Sequence, residues 1–423
     1  MTTIRTPCGP RDTVVFIVPF APSAHDVAVL GCRDFAERGI KVEILVAPVM
    51  IGSPRSGPEA VSGFPVIYVA NSDALDRAVG ERAATVVFFD FAFGLTAPTL
   101  RGARLYAALR AHDALYCVVW SGALPPVPPP VGIASKMRSL MMRIAGAASP
   151  GRVLEYVGRR LVLAFSPQRL SQPAPFRVFA GHASSLQSYL DRTAQSEASV
   201  RWINSFDYDT YLAYLGSRGG VAPPAEPKAV FLDEAASHHP DSRLVGASGM
   251  QLADAQYSSS MRRLFDVLEA RTGLRVVVAA HPRSDYGSRV EYFGDREIVL
   301  GQTVDLVARS SLVIAHASTA VGYAVLFDKP LMLVRTQEMS GTLHDAGLAM
   351  FANALSLDPV TVGTEAQLER VNWDYLSWPR RAYSDYCDRY VRSPEAPADK
   401  TTWQIVIDDL VAAGVLPSET GLV

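Results

Sequence analysis

The chain has 423 residues, 49% apolar and 19% charged, with a formal net charge of -2 at pH 7. That length implies two domains, and the near-neutral balance offers no general attraction to nucleic acid. The four cysteines, Cys8, Cys32, Cys117 and Cys387, lack metal or disulfide spacing. No apolar core follows a basic start and no uninterrupted apolar stretch reaches about 18 residues, so a cytoplasmic protein is expected.

Apolar runs alternate with helical patterns from the start. Strands are expected over Thr13–Phe20, Val42–Val49, Val66–Ala70, Ala84–Phe91 and Leu115–Trp120. Helices are expected over Ala24–Arg38, Ser72–Arg82 and Leu100–Ala111. Continuous apolar strands separated by helices imply βαβ units and a parallel sheet covered on both faces. Val18-Pro19-Phe20-Ala21-Pro22-Ser23 stands where a Gly-x-Gly-x-x-Gly would follow the first strand, so the dinucleotide fingerprint is absent.

After the extended run Leu124–Pro130, residues 131–170 carry seven Lys or Arg against one acid, Glu155. Ile133, Met137, Leu140, Met141 and Ile144 fall on one side of a helix, so residues 133–146 read as a basic amphipathic helix. Such a helix packs on its own domain or lies peripherally on an anionic inner membrane. The chain is α/β again from Val178 to Leu215, with helices over Ser184–Arg192 and Thr210–Leu215, and Asp207 or Asp209 as a helix cap. Gly- and Pro-rich turns over residues 216–227 read as a linker. Residues 1–220 then form a first domain, 228–395 a second, and 396–423 a closing segment whose helix Thr402–Ala413 crosses back to the first.

The second domain opens on the strand Ala229–Leu232, which delivers Asp233 and Glu234 to its carboxyl end, with His238, His239 and Asp241 close behind. The histidines with a carboxylate are plausible metal ligands, but known zinc spacing is missing; a general base, nucleophile or acceptor-binding role fits better. A helix over Ser258–Thr272 leads to the strand Val276–Ala280, which ends on His281-Pro282. The strand Glu297–Leu300 and the turn Gly301-Gln302-Thr303 precede the helix Val304–Ser310. The strand Leu312–Ala315 leads to a helix opening at Ser318-Thr319 and closing at Lys329-Pro330. The strand Leu331–Val334 delivers Glu338. Ligands in an open α/β sheet sit beyond the carboxyl ends of the strands, so His281 and the Ser318 turn would share one crevice. A hydroxyl pair at a helix start suits an anion, and it also suits a plain cap. Helices over Ala366–Asn372 and Tyr375–Val391 follow.

Two Rossmann-like halves, a His-Pro after a strand, a Ser-Thr helix start and acidic residues opening the second half resemble a GT-B glycosyltransferase. More narrowly, Phe231-Leu232-Asp233-Glu234 with His239-Pro240-Asp241, Ala280-His281-Pro282-Arg283, Gly301-Gln302-Thr303 and His316-Ala317-Ser318-Thr319 with Lys329-Pro330 are similar to bacterial surface-polysaccharide enzymes. Those enzymes use CMP-activated ulosonic acids of sialic, pseudaminic or Kdo type. The resemblance implies two Rossmann-like domains facing a central cleft and transfer of an acidic sugar from a CMP donor to a glycan or lipid-linked acceptor. It implies that His281, within His281-Pro282-Arg283, meets the CMP phosphate and that Ser318 and Thr319 bind its oxygens. Gln302, Thr303, Lys329 and Glu338 would meet cytidine; Asp233 would stand at the reacting carbon, with Glu234 and His239 next in line. No cofactor or obligatory metal is implied. The acidic motif of the sialyltransferases ends in Gly, whereas Ala235 stands here, and the Kdo transferases that retain configuration use a carboxylate nucleophile, so the stereochemical course stays open. The alternatives are a CDP-polyol phosphate transferase of teichoic-acid type, a nucleotide-sugar epimerase and a catalytically silent partner in polysaccharide assembly.

Overall fold

The computed structural model describes residues 9–19, 21–22, 24–48, 63–93, 102–121, 125, 172–183, 186–193, 199–219, 226–237, 252–282, 284, 286–287, 291–362, 364–368, 370–373 and 378–418. It contains two parallel sheets, each in its own compact α/β unit. The first sheet comprises β1 (Thr13–Val18), β2 (Lys41–Val46), β3 (Val66–Tyr68), β4 (Val86–Asp90), β5 (Tyr116–Trp120), β6 (Arg177–Ala180) and β7 (Val200–Trp202), ordered β3-β2-β1-β4-β5-β6-β7. The second comprises β8 (Lys228–Leu232), β9 (Arg275–Ala280), β10 (Ile298–Leu300), β11 (Leu312–Ala315), β12 (Leu331–Thr336) and β13 (Val360–Val362), ordered β10-β9-β8-β11-β12-β13.

Both orders follow one rule. The chain lays down a central strand, builds outward by two strands, then returns to the centre and builds the other way. Parallel strands need crossovers, and successive crossovers cover both faces, so the central strands are buried: β1 and β4 throughout, β11 throughout, and β8 except Lys228. Where the direction reverses, flanking connections leave toward opposite faces and open a crevice at the carboxyl ends. That switch lies between β1 and β4 in the first sheet and between β8 and β11 in the second.

The last helix, Thr402–Ala412, belongs to the first unit. A capping box between Thr401 and Gln404 starts it, and its Trp403, Val406, Ile407 and Leu410 join the buried core of Phe16, Phe35 and Phe89. Asp409 accepts from Arg177 at 2.9 Å and Arg201 at 2.6 Å, and Asp408 accepts from Arg38 at 2.9 Å. The Trp403 indole packs against Gly31, whose φ is 65°; a Cβ there would come within 2.3 Å of the ring. The expected helix Ala24–Arg38 therefore breaks into Ala24–Val29 and Cys32–Glu37 around that left-handed residue.

Other boundaries differ for local reasons. A helix begins at Phe206, placing Asp207 and Asp209 inside its first turn, not at its cap. From Asp207 it belongs to the second unit, where Tyr211 packs on Phe327 and Tyr214 donates to Asp305 at 3.0 Å, so the change of unit precedes the Gly-rich turns. The helix expected at Ser318-Thr319 starts at Val321 and ends at Leu326, because a turn intervenes. The helix Leu343–Leu355 and strand β13 were not foreseen; Gly347 weakens the helical signal of the former. The expected helix Tyr375–Val391 is described as Arg380–Tyr386 followed by a π-helix, Cys387–Val391. The basic stretch 133–146 lies outside the described residues, as do His238, His239, Asp241 and Arg283. Among the described residues no helix is long and apolar enough to cross a membrane.

Candidate functional site

The carboxyl ends of β8, β9 and β11 place three expected residues together on one edge of the second sheet. Asp233 follows β8, His281 follows the adjacent β9, and Ser318 lies three residues beyond β11 on the other side of the switch. Asp233 is 4% exposed, and its backbone N–H is spent on Ala279 O at 3.1 Å. Its Oδ1 accepts from the Ala235 N–H at 3.0 Å and its Oδ2 from the Tyr286 hydroxyl at 2.7 Å, with the His281 and Glu234 N–H groups also donating. Loss of water outweighs these donors and pushes the carboxyl up to about 6. The tight turn puts Ala235 at φ 50°, a left-handed conformation that glycine adopts without strain. The Ala in place of Gly thus sits at the residue where the backbone needs that freedom.

Glu234 turns the other way, across the switch, and accepts from the Ala317 N–H. Desolvation, reinforced by the Asp233 charge, pushes it up to about 8. At neutral pH the pair therefore divides: Asp233 is mostly ionised and Glu234 mostly protonated. Two adjacent carboxyls with separated titrations can supply an acid and a base in one place.

His316 is buried and satisfied. Its Nδ1 donates to Val334 O at 2.6 Å, its Nε2 accepts from the Tyr257 hydroxyl at 2.9 Å, and burial pushes it down to about 4. It joins β11, β12 and the helix Asp254–Thr272 as a neutral core residue. Ser318 is half-buried and its Oγ accepts from the Ala320 N–H at 3.3 Å, closing the turn before the short helix; Thr319 is exposed. The hydroxyls, not a long helix dipole, are what this turn offers an anion.

His281 completes the trio, and the remaining expected residues scatter. His281 is half-buried and its carbonyl accepts from the Ser284 N–H at 2.9 Å and hydroxyl at 2.7 Å; Pro282 is exposed. Gln302 is exposed and Thr303 half-buried, beyond the edge strand β10. Glu338 follows β12 and accepts from Ser260 Oγ at 3.2 Å. Lys329 is not brought to this edge: it precedes β12, and in a parallel sheet that puts it at the amino ends. His239 and Arg283 fall outside the described residues.

Sequence reasoning missed three residues here. Tyr286 reaches Asp233, Tyr257 holds His316, and His344, at the start of the helix Leu343–Leu355, bears electrostatically on His316. That helix lies against the Ser318 turn through Gly347, whose Cβ would meet Ala317 Cβ at 3.1 Å. Lone tyrosines carry no spacing signal; the signal that could have revealed the helix is the helical spacing of Leu348, Phe351 and Leu355. A surface cavity of about 250 Å³ lined by Asn353, Ser356, Asp385 and Arg389 lies at the C-terminal end of the same helix, with Asn353 about 9 Å along the axis from Gly347 at 1.5 Å per residue. Its charged groups are exposed, so the strand ends, where buried carboxyls converge, are the better site.

The first sheet's switch carries Asp90, which sequence reasoning also missed. It is fully buried, accepts from the Ala92 and Phe93 N–H groups at 2.9 and 3.2 Å and from the Tyr106 hydroxyl, and closes a turn.

No protein-family model matches this chain, and neither does any curated protein. Solved structures similar to it include a soaked variant of the wall teichoic acid polymerase TagF, at 11% identity and TM-score 0.49, covering 97% of this chain and 92% of the other. The putative UDP-N-acetylglucosamine 2-epimerase of Listeria monocytogenes is similar at 11% identity and TM-score 0.45, covering 92% and 94%. Arabidopsis thaliana UGT89C1 complexed with UDP-L-rhamnose is similar at 13% identity and TM-score 0.44, covering 96% and 100%.

Proposed function

We propose that this chain is a GT-B-type glycosyltransferase that moves an ulosonic acid from a CMP-activated donor to a glycan or lipid-linked acceptor. The observation that carries the reading is Asp233, a buried and hydrogen-bonded carboxyl at the topological switch, pushed up to about 6 beside Glu234, which burial raises further, to about 8. Burial raises Asp90 and Asp207 as well; Asp233 differs in standing on one sheet edge with the His281 and Ser318 strand ends, where a base titrating near neutral pH would meet a substrate. The donor class rests on the resemblance of the acidic, His-Pro and serine motifs.

In this reading the anomeric carbon–oxygen bond to the phosphate breaks and CMP leaves with the electron pair. The acceptor hydroxyl forms the new bond, and its proton passes to Asp233. His281, Ser318 and Thr319 meet the phosphate, where preset donors stabilise the growing charge. Glu234, protonated at neutral pH, holds the turn at Ala317 and adds no second charge beside the donor's own carboxylate.

The test is thermal stabilisation by CMP, CDP, UDP and GDP, on the wild type and His281→Ala. A ligand at about 100 times its Kd should stabilise by about 2.7 kcal/mol. Selective stabilisation by CMP, lost in the variant, is expected. Preference for CDP would favour a polyol phosphate donor, and UDP or GDP preference would overturn the CMP assignment. Once a CMP-ulosonate is turned over, Asp233→Asn should cost roughly 10²–10⁴ in kcat with Kd for CMP unchanged, and EDTA should leave turnover intact.

A further inference from the structure

Tyr286 stands in the loop after β9, five residues beyond His281, and no motif includes it. Its hydroxyl donates to Asp233 Oδ2 at 2.7 Å. Its ring packs against Tyr292 and Phe293, with centroids 5.7 and 5.6 Å away, so the phenol is held from behind. The same loop supplies the His281 N–H to Asp233 and is folded back by Ser284 onto His281 O. Oδ1 meanwhile takes the Ala235 N–H from Asp233's own turn. The carboxylate is thus held both from its own turn and from the loop after β9.

We infer that Tyr286 is a positioning residue, whose hydroxyl fixes the Asp233 carboxylate and ties the His281 loop to the end of β8. The inference rests on the reading of Asp233 as the reacting carboxylate. A phenol donating to a carboxylate stabilises its ionised form and restricts its rotation. The base is thereby oriented and kept deprotonated near neutral pH, and the group expected at the donor phosphate is held in register with it. Among the described residues, the other titratable groups bearing on Asp233 include His281, whose backbone N–H donates to it, Glu234 beside it, which is turned to Ala317, and Tyr257 from the helix Asp254–Thr272, whose hydroxyl is engaged by His316. The neighbouring Tyr292 spends its hydroxyl on Asp254 at 2.7 Å and on Ser237 at 2.6 Å. It is therefore the matched control.

The test needs no substrate. Carboxyl ¹³C titrations of aspartate-labelled protein are recorded for the wild type, Tyr286→Phe and Tyr292→Phe, with Asp233→Asn assigning the resonance. Phenylalanine keeps the ring contacts and removes only the hydroxyl. Asp233 should titrate near about 6 in the wild type, about one unit higher in Tyr286→Phe, a tenfold gain in proton affinity, and unmoved in Tyr292→Phe. An unmoved Asp233 in Tyr286→Phe, or equal shifts in both variants, would overturn the proposal. In a double-mutant cycle at pH 8, the stability cost of Tyr286→Phe should fall by at least about half when Asp233→Ala is already present; an undiminished cost would overturn it as well. Transfer that survived Asp233→Asn would remove the base assignment on which the role rests, while the titration shift would still report the contact.

Discussion

Glu234 shows how a single side chain can connect two strand ends and still oppose the fold. Its carboxyl accepts from Ala317 N–H across the switch, yet burial beside Asp233 raises it to about 8. An unfolded glutamate titrates near about 4.3. A group whose folded value is raised contributes its full stability below the unfolded value and loses it as pH rises through the folded one. The window is therefore about pH 4 to 8. Glu234→Gln keeps an oxygen for Ala317 and removes the titration. Its stability relative to the wild type should thus improve as pH rises from 5 to 8.5, by about 1–2 kcal/mol after allowing for the half-exposed side chain. Urea unfolding at the two pH values measures this, and a difference independent of pH would show that Glu234 is not held protonated.

At the scale of elements, the short helices are where local sequence and tertiary packing compete. The pattern over residues 24–38 reads as one helix, and the structure makes two, because Trp403, far along the chain, occupies the space beside Gly31. No local signal announces a partner hundreds of residues away. The central strands were legible because both of their faces are covered and their apolar runs are continuous, whereas β7 and β13 set a polar residue, Arg201 or Thr361, between two others and offer no continuous apolar run. The site was legible in the same uneven way. Asp233, His281 and Ser318 follow strands recognisable by composition, but Tyr286 and Tyr257 act through contacts that only the fold creates. Lys329 looked similar in sequence and lies at the other edge, since a helix end and a strand start carry no sign of their distance from a strand terminus. Gly31→Ala tests the packing argument. It brings a Cβ to within 2.3 Å of the Trp403 ring and strains a positive φ, so a loss of about 2–4 kcal/mol is expected in denaturant unfolding. A loss under about 0.5 kcal/mol would mean that the indole moves freely.

Over the whole molecule, two sheets of the same strand order carry different chemistry at their switch points. In the first, Asp90 is sealed by two N–H groups and the Tyr106 hydroxyl, and serves the turn it closes. In the second, Asp233 and Glu234 straddle the reversal with their titrations pushed apart. The chain's last segment adds a further asymmetry, because the first unit is not complete until it arrives. Trp403, Ile405, Val406, Ile407 and Leu410 are all at most 9% exposed and share one core with Phe16, Phe35 and Phe89. Burying each such side chain is worth about 1.5–3 kcal/mol. Asp409, about 15% exposed, pairs with both Arg177 and Arg201, and Thr402 Oγ1 donates to Asn204 O at 2.9 Å. Losing five anchors of that size removes about 7.5–15 kcal/mol, comparable to the whole 5–15 kcal/mol or so that holds a typical domain. Deletion of residues 393–423 should therefore unfold the first unit at 25 °C while leaving the second sheet and its Asp233 site folded. Hydrogen exchange resolved by peptide would show protection lost across β1, β2 and β4 and kept across β8, β9 and β11. Protection retained in the first set would mean that the remaining strands and helices form a sufficient core without the C-terminal helix.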